Sequence, residues 1–330
     1  MSTTVPTRPV TIDLPEAPGA PARVAPVALA ATRRARRGLA PGSRAAAFFL
    51  APALLTIGLF FGLPVLAAFG LSLTDFDIYA LGDLSTVRFV GVRNYVELAS
   101  SAEFWSALGN TLYFVVLGGP LSVAVSLGAA LLVNARVLRG RAFFRTVFFA
   151  PVVTTLVAVA VVWRYLYHVR YGLFNYGLGL VGVGPVDWLG DPQWAMPAIV
   201  LLAVWKNFGY NMIIFVAGLQ NVPEELYEAA HMDGASAWDG FRFITLPQLA
   251  PTFLFVGVLT MVGYFQLFAE PYVMTEGGPV GATVSVVYLM FVEGFRYWNL
   301  GYASAVAFVL FVLMLIGTLV QLRFQKPEDA

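Results

Sequence analysis

Residues 224–247 read EELYEAAHMDGASAWDGFRFITLP and interrupt a chain that is otherwise strongly apolar. This stretch holds five acidic residues and one arginine, and a long apolar segment lies on either side of it. Of the 330 residues, 59% are apolar and 12% are charged, whereas a typical soluble domain carries about 25% charged residues. Much of the protein surface must therefore face something other than water.

Six apolar segments are long enough to cross a bilayer, which requires about 20 residues per helix. They are residues 46–73, 106–133, 143–166, 196–219, 250–274 and 301–322. Several contain proline or glycine, which membrane helices tolerate when neighbouring helices pack against them. The sequence predicts an all-α polytopic membrane protein whose six transmembrane helices lie within a domain of residues 45–322.

Basic residues near the ends of the spans predict the orientation of the chain. They concentrate in residues 33–37 (RRARR), in the 134–145 loop and in the 323–330 tail. With six spans, all three segments fall on one side of the membrane. Both termini are therefore predicted to be cytoplasmic, with residues 1–44 forming a disordered basic tail. The polar loop, residues 220–249, lies on the same side.

Several kinds of site are excluded by composition. The chain has no cysteine, which excludes disulfides, thiolate metal sites and cysteine nucleophiles. Two histidines are too few for a histidine-rich metal site, and neither lysine belongs to a GxxxxGK[ST] phosphate loop. We expect no catalytic residue, no metal and no cofactor on this chain, so any ATP would be bound by another chain. RRARR beside a first span indicates topology and not a nucleic-acid partner.

The polar loop is predicted to form two short helices. Asn221 is the expected N-cap of the first, with Pro223 in its first turn. Gly234 suits the left-handed position that ends a helix. Ser236 then caps the second helix, and Asp239 stands at the capping-box position.

The order of residues in this loop closely resembles the EAA motif of binding-protein-dependent ABC importer permeases. The matching groups are Glu228-Ala229-Ala230, Asp233-Gly234-Ala235 and Ile244-Thr245-Leu246-Pro247. Other stretches resemble the carbohydrate-type permeases, the group that includes the maltose and glycerol-3-phosphate systems. They are FVGVRNYVEL (89–98), FWSALGNTLYF (104–114), RTVFFAPVV (145–153), VWKNFGYNMIIFVAGLQNVPEELYEAA (204–230), YVMTEGGP (272–279) and LGYASAVAFVL (300–310).

This resemblance implies a type I importer permease fold in which the polar loop forms a coupling helix that docks on an ATPase subunit. The residues it assigns to ATPase coupling are Glu228, Ala229, Ala230, Asp233, Gly234, Arg242, Leu246 and Pro247. Glu228 would meet basic or polar groups of the ATPase, and the two alanines would let the backbones approach. Arg242 either pairs with an acid of the loop or of the partner, or extends to the membrane surface.

Polar residues within spans are costly and tend to mark pathways. The candidates for a substrate pathway are Asn207, Tyr210, Asn211, Tyr264, Phe265 and Gln266. Amides and tyrosines offer hydrogen bonds to sugar hydroxyls, and an aromatic ring offers a flat face. The alternative is that these side chains form hydrogen bonds between helices. Lys206 and Glu270 are expected to pair within the bundle.

The resemblance further implies a multi-pass permease of the bacterial plasma (inner) membrane that imports a di- or oligosaccharide. Its partners would be a second, different permease chain, two subunits that bind ATP and Mg²⁺, an extracytoplasmic solute-binding protein and membrane lipid. A glycerol-3-phosphate or polyol importer is the alternative, although no arginine lies mid-span. An ion-coupled carrier is another class, for which Glu270 is the one acid well inside a span. A membrane enzyme would need paired carboxylates or clustered histidines.

Overall fold

The structure is a computed structural model that describes residues 43–135 and 138–324. Most of the predicted 1–44 tail, Arg136 and residues 325–330 of the predicted C-terminal tail lie outside the described residues. The chain divides after Thr56 into two units, and each is described by itself. The described part of the first unit belongs to helix α1, Ser43–Ile57.

The second unit is helical wherever the structure describes a regular element. Its α-helices are α2 Leu63–Ser72, α3 Arg93–Ser100, α4 Ala102–Tyr113, α5 Gly119–Asn134, α6 Arg141–Val153, α7 Leu156–Leu166, α8 Leu173–Leu180, α9 Pro192–Gln220, α10 Glu224–Met232, α11 Ala237–Gly240, α12 Leu246–Gln248, α13 Ala250–Phe265, α14 Ala269–Met274, α15 Val286–Phe291 and α16 Leu300–Phe324. Single π-turns join several neighbours, for example Phe114–Gly118 between α4 and α5. The predicted all-α architecture is confirmed for the described residues.

Five helical stretches among the described residues are long and apolar enough to cross a membrane. They are Phe48–Ser72, Ala102–Asn134, Pro192–Gln220, Ala250–Met274 and Leu300–Arg323. A sixth crossing results if α6 and α7 together form one span. The orientation of these helices in the membrane stays a prediction.

The predicted 143–166 span is not one straight helix. Helices α6 and α7 meet at an angle of 99°, and the two residues between them, Thr154 and Thr155, are extended, with ψ of 148° and 136°. Pro151 has no amide hydrogen to donate within the helix, and the β-branched residues that follow it are weak helix formers. These local properties allow the chain to leave the helix at this point.

Three apolar clusters form the core of the second unit. One surrounds Ile199 of α9 and includes Trp163 of α7. A second joins α4, α15 and α16 around Val306. The third joins α5, α9 and α13 around Phe215 and Val256. Helix α9 contributes to two of these clusters, so it is the central element on which the other helices pack.

Large apolar side chains also cover much of the outside of the helices. Phe60, Leu66 and Val116 are 66%, 72% and 70% exposed. An exposed apolar surface of this extent in a water-soluble protein would be unusual. These side chains are placed to face lipid tails, as the composition requires.

Candidate functional site: a cavity between the helices and the polar loop

A cavity of about 470 Å³ lies between α9, α13 and the bend of α6 and α7. Five of the six residues predicted for the substrate pathway line it. They are Asn207, Tyr210, Asn211, Tyr264 and Gln266. The other lining residues are Phe114, Val152, Leu156, Leu259, Thr260, Gly263, Leu267, Phe268, Ala269 and Glu270. The wall is therefore largely apolar, with a few polar groups, which is the usual character of a small-molecule site.

Phe265 does not line this cavity. It is 6% exposed and packs in the cluster around Val306 of α16. Consecutive residues of a helix point about 100° apart, so Tyr264, Phe265 and Gln266 do not share one face. Phe265 therefore lies in the packing between helices, away from the cavity that its neighbours line.

The polar residues of the cavity differ in how they are held. Asn211 is 5% exposed, and its Nδ2 donates to Thr260 Oγ1 at 2.9 Å, which links α9 to α13. Asn207 and Gln266 are exposed. Asn211 thus forms the interhelical bond that was the alternative interpretation, while the amides of Asn207 and Gln266 remain accessible on the cavity wall.

Tyr264 forms an aromatic wall of the cavity. Its ring stacks on Phe114 with 4.7 Å between ring centroids and an interplanar angle of 26°. A Cβ on Gly118 would come within 2.6 Å of Tyr264 Cε1, so a glycine is needed for this close packing. The Tyr264 hydroxyl is buried near the side chains of Ser122 and Asn207, outside the geometry of a hydrogen bond. The packing of its ring therefore fixes the position of Tyr264.

Lys206 does not form the expected ion pair with Glu270. Its Nζ donates to the carbonyl oxygens of Pro151 at 3.1 Å and Thr154 at 3.0 Å. No carboxylate of Glu270 lies within 4.0 Å of it, and the ion pair found in the described part of the chain joins Arg88 to Asp75. Carbonyl groups at the end of a helix lack intrahelical partners, and at the bend Lys206 donates to two of them, while Thr154 also donates to the Pro151 carbonyl.

The first helix of the polar loop begins later than predicted. Asn221 ends α9, and α10 starts at Glu224 after Pro223, whose backbone is extended with φ −60° and ψ 131°. No side-chain hydrogen bond caps this end of α10. The prediction of Asn221 as N-cap is wrong because α9 continues to Gln220 and uses Asn221 as its own terminus.

The turn after α10 follows the predicted chemistry. Asp233 is the residue at which α10 ends, and Gly234 has φ +79°, the left-handed region that favours glycine. The Ala235 amide donates to the Ala230 carbonyl at 2.9 Å and closes the turn. Glu228 and Ala229 are exposed, whereas Ala230 is half-buried. Glu228, Ala229 and Ala230 therefore lie on an accessible helix that ends in a sharp turn.

The predicted capping box of the second helix is confirmed. The Asp239 amide donates to Ser236 Oγ at 3.2 Å, and the Ser236 amide donates to Asp239 Oδ2 at 3.0 Å. Hydrogen bonding from the Ser236 hydroxyl, and then from its amide, holds the pKa of Asp239 below its usual value. Tyr227 of α10 reaches across to Thr245, with 2.8 Å between the hydroxyl oxygens. This contact joins the two helices of the loop.

Arg242 pairs with neither Glu228 nor Asp239 within 4.0 Å. It is exposed, and its guanidinium carbon lies 5.4 Å from the centre of the Phe243 ring. Leu246 and Pro247 begin the short helix α12 that leads into α13. Arg242 is therefore accessible to a partner or to the membrane surface.

Two large apolar side chains on the loop, Trp238 and Phe243, were missed in the sequence. Met232, Trp238 and Phe243 are 87%, 64% and 67% exposed. A second cavity, of about 620 Å³, lies against α10 and is lined by Glu228 and by Arg141 of α6, among others. Exposed large apolar residues on a polar segment could have been noted in the sequence, because such residues commonly mark a protein contact.

Comparisons with known proteins agree with this arrangement. Residues 122–326 match the family described as "Binding-protein-dependent transport system inner membrane component". The chain is 38% identical to the Thermococcus litoralis trehalose/maltose transport system permease protein MalF over 82% of this chain and 90% of that protein. It is 34% identical to the Rhizobium radiobacter lactose transport system permease protein LacF, with 85% and 93% covered.

A third relative is the Bacillus subtilis arabinooligosaccharides transport system permease protein AraP, 33% identical with 91% of this chain and 95% of that protein covered. Among solved structures, a chain of a bacterial alginate ABC transporter is similar with a TM-score of 0.70 at 20% identity, covering 84% of this chain and 92% of that chain. That likeness concerns the fold. The match over most of the chain shows that this protein belongs to the family of inner membrane components of binding-protein-dependent transport systems.

Proposed function

We propose that this chain is the permease subunit of an ATP-driven importer that carries a di- or oligosaccharide into the cytoplasm. The observation that carries the proposal is the similarity to permeases named for trehalose/maltose, lactose and arabinooligosaccharides, at 33–38% identity over 82–91% of this chain. The protein is a multi-pass component of the plasma membrane.

The cavity has the chemistry that a sugar requires. Exposed amides of Asn207 and Gln266 can donate to and accept from hydroxyl groups, and Tyr210 is 49% exposed beside them. A volume of about 470 Å³ lies within the range of small-molecule sites, about 300–1,000 Å³. These residues support passage of a polyhydroxylated solute along α9 and α13.

The alternatives receive less support from the cavity. A glycerol phosphate would favour a cationic partner, and no arginine or lysine is among the residues that line the cavity. An ion-coupled carrier would need carboxylates or broken helices that hold the coupling ion. The cavity wall has one carboxylate, Glu270, and the broken helix of α6 and α7, but no cluster of metal-ligating residues occurs in the part of the chain that the structure describes.

The polar loop would couple this path to ATP hydrolysis on partner subunits. Its exposed helix α10 and the exposed Met232, Trp238 and Phe243 offer both polar and apolar contacts to a cleft. ATP and Mg²⁺ would be held by two ATPase subunits, a second and different permease would complete the pore, and a solute-binding protein would deliver the sugar. ATP binding would shift the population between inward-open and outward-open states.

The test is copurification with the ATPase and sugar-stimulated ATP hydrolysis in the reconstituted complex. Gly234→Ala strains a residue at φ +79° on the coupling turn, and Gly182→Ala is its matched control, since Gly182 also has φ +79° and open space around it. Glu228→Lys is compared with Glu97→Lys, an exposed glutamate on α3.

We expect the two loop variants to lose ATPase binding and stimulation by at least about tenfold, which corresponds to about 1.4 kcal/mol of coupling. The two controls should behave like the unmodified protein. If the protein purifies alone and takes up sugar in response to an ion gradient, or if the loop variants couple normally, the proposal is wrong.

A further inference from the structure

We propose that Glu270 is a specificity-determining residue whose carboxylate makes the cavity electronegative, so that the path favours neutral or cationic glycans over uronate-containing ones. This deepens the proposed function, and its consequence for glycans rests on that function. The starting observation is that Glu270 is the only Asp, Glu, His, Lys or Arg among the fifteen residues that line the cavity.

The nearby cations are turned away from the cavity. Lys206 donates to the carbonyls of Pro151 and Thr154, and it is not a lining residue. Arg164 donates to the Val273 carbonyl at 3.3 Å and lines a different cavity. Neither forms an ion pair with Glu270 within 4.0 Å. A solute in the cavity therefore meets a carboxylate that has no ion-pair partner, on which the Lys206 ammonium acts only from beyond 4.0 Å.

The size of the cavity determines how strongly the charge of the Glu270 carboxylate acts on a charged solute. A sphere of about 470 Å³ is about 10 Å across, so a solute charge would lie within about 8–10 Å of the carboxylate. At an effective dielectric constant of about 20–40, one unit charge at that distance changes the local concentration of a monovalent ion by about fourfold to thirtyfold. Cations are enriched and anions are depleted by this factor.

Because the chain has no cysteine, a single introduced thiol can report the electrostatic potential of the cavity directly. Asn207→Cys places one thiol on the cavity wall of the full-length, detergent-purified protein. Its rates of reaction are measured with a cationic (trimethylammonium) and an anionic (sulfonate) ethyl methanethiosulfonate. The ratio of the two rates is compared with Glu270 present and in Glu270→Gln, Glu270→Asp and Glu270→Lys.

We expect Glu270→Gln to lower the cation-to-anion ratio by at least about tenfold, because the field acts in opposite directions on the two reagents. Glu270→Asp should keep the ratio high, and Glu270→Lys should invert it. A reporter at Met232→Cys, which lies 87% exposed on the polar loop, should show the same ratio in all four backgrounds. A purely structural role for Glu270 would change both rates together and leave their ratio constant.

An unchanged ratio at position 207 overturns the proposal, since the carboxylate would then be protonated or screened. A thiol at 207 that reacts with neither reagent also overturns it, because the cavity would be closed to solutes.

Protection of the same thiol then tests the glycan preference. A neutral glucose trisaccharide should slow labelling by the cationic reagent in the Asn207→Cys protein, and a galacturonate trisaccharide should do so only after Glu270→Gln. Equal protection by both trisaccharides with Glu270 present refutes the preference. If neither protects while the ratio still depends on Glu270, the cavity is electronegative but is not a glycan path, so the proposed function fails separately and the preference falls with it.

Discussion

Gly209→Ala adds one methyl group at the place where α9 contacts α6. A Cβ on residue 209 would lie 2.1 Å from the Phe148 carbonyl oxygen, 2.9 Å from its carbonyl carbon and 3.1 Å from the Phe149 Cα. All three are backbone atoms, so no side-chain rotation relieves the overlap. Ordinary van der Waals contact begins at 3.4 Å, and the two helices must therefore move apart by more than about 1 Å.

The expected loss in the free energy of unfolding follows from this displacement of the helices. An extra group in a packed interior typically destabilises a protein by about 1–3 kcal/mol, while alanine in place of glycine within a helix returns about 1 kcal/mol. Lys206 lies one turn before Gly209 on α9, and its hydrogen bonds to the bend of α6 and α7 would lengthen as the helices separate. We expect a net loss of about 1–3 kcal/mol.

The assay is thermal unfolding of the detergent-purified protein. The fraction that remains folded after heating is measured by size-exclusion chromatography with fluorescence detection. The matched control is Gly128→Ala in α5, where a Cβ would meet nothing within 4 Å. This variant should be as stable as the unmodified protein or slightly more stable, through helix propensity alone. If Gly209→Ala unfolds at the same temperature as Gly128→Ala, the close approach of α9 to α6 does not limit stability and the reasoning is refuted.

Three further variants test single contacts. Lys206→Met should lose about 2–3 kcal/mol of stability in the same unfolding assay, because two charge-assisted hydrogen bonds disappear. Lys206→Arg should recover part of this stability. If Lys206→Met is as stable as the unmodified protein, the bend holds without the two hydrogen bonds. Ser236→Ala should lose about 1 kcal/mol, measured as faster amide exchange in α11. The pKa of Asp239 is lowered in the folded protein. The stability that this cap contributes is therefore present above the ordinary aspartate pKa, and it is lost as pH falls through the lowered pKa of Asp239. Ser236→Ala should weaken this pH dependence. Tyr227→Phe removes the hydrogen bond to Thr245 and should increase the rate of proteolysis within residues 220–249 by the factor that corresponds to about 1 kcal/mol. Equal proteolysis rates for the variant and the unmodified protein would contradict a role of this bond in joining the two loop helices.

The features that sequence reasoning located correctly depend on local chemistry. Gly234 occupies a left-handed position because no other residue does so easily, and Ser236 with Asp239 forms a capping box over four residues. Apolar length likewise identifies a membrane helix without reference to the remainder of the chain. Asn221 illustrates the limit of this approach, because a residue that suits the start of one helix equally ends another, and only the length of α9 decides between them.

The direction in which a side chain faces was harder to predict than the helix on which it lies. Tyr264 and Gln266 line the cavity while Phe265 lies in the core between helices, although all three were assigned to one pathway. A helix in lipid is apolar on most of its surface, so its hydrophobic pattern does not distinguish the lipid face from the packed face. Polar residues mark the inner side, but an aromatic residue next to them carries no such information.

The bend between α6 and α7 required information from a distant part of the chain. Residues 143–166 are predominantly apolar, and membrane interiors penalise backbone groups without partners, so a continuous helix was the reasonable expectation. Lys206 offsets part of that penalty from more than 50 positions away, by donating to the carbonyls of Pro151 and Thr154. The Thr154 amide and hydroxyl also donate to the Pro151 carbonyl. The hydrogen bonds of Lys206 explain why it does not pair with Glu270. A lysine that donates to the bend leaves the acid on the cavity wall without an ion-pair partner within 4.0 Å, so one side chain links the broken helix to the surroundings of Glu270.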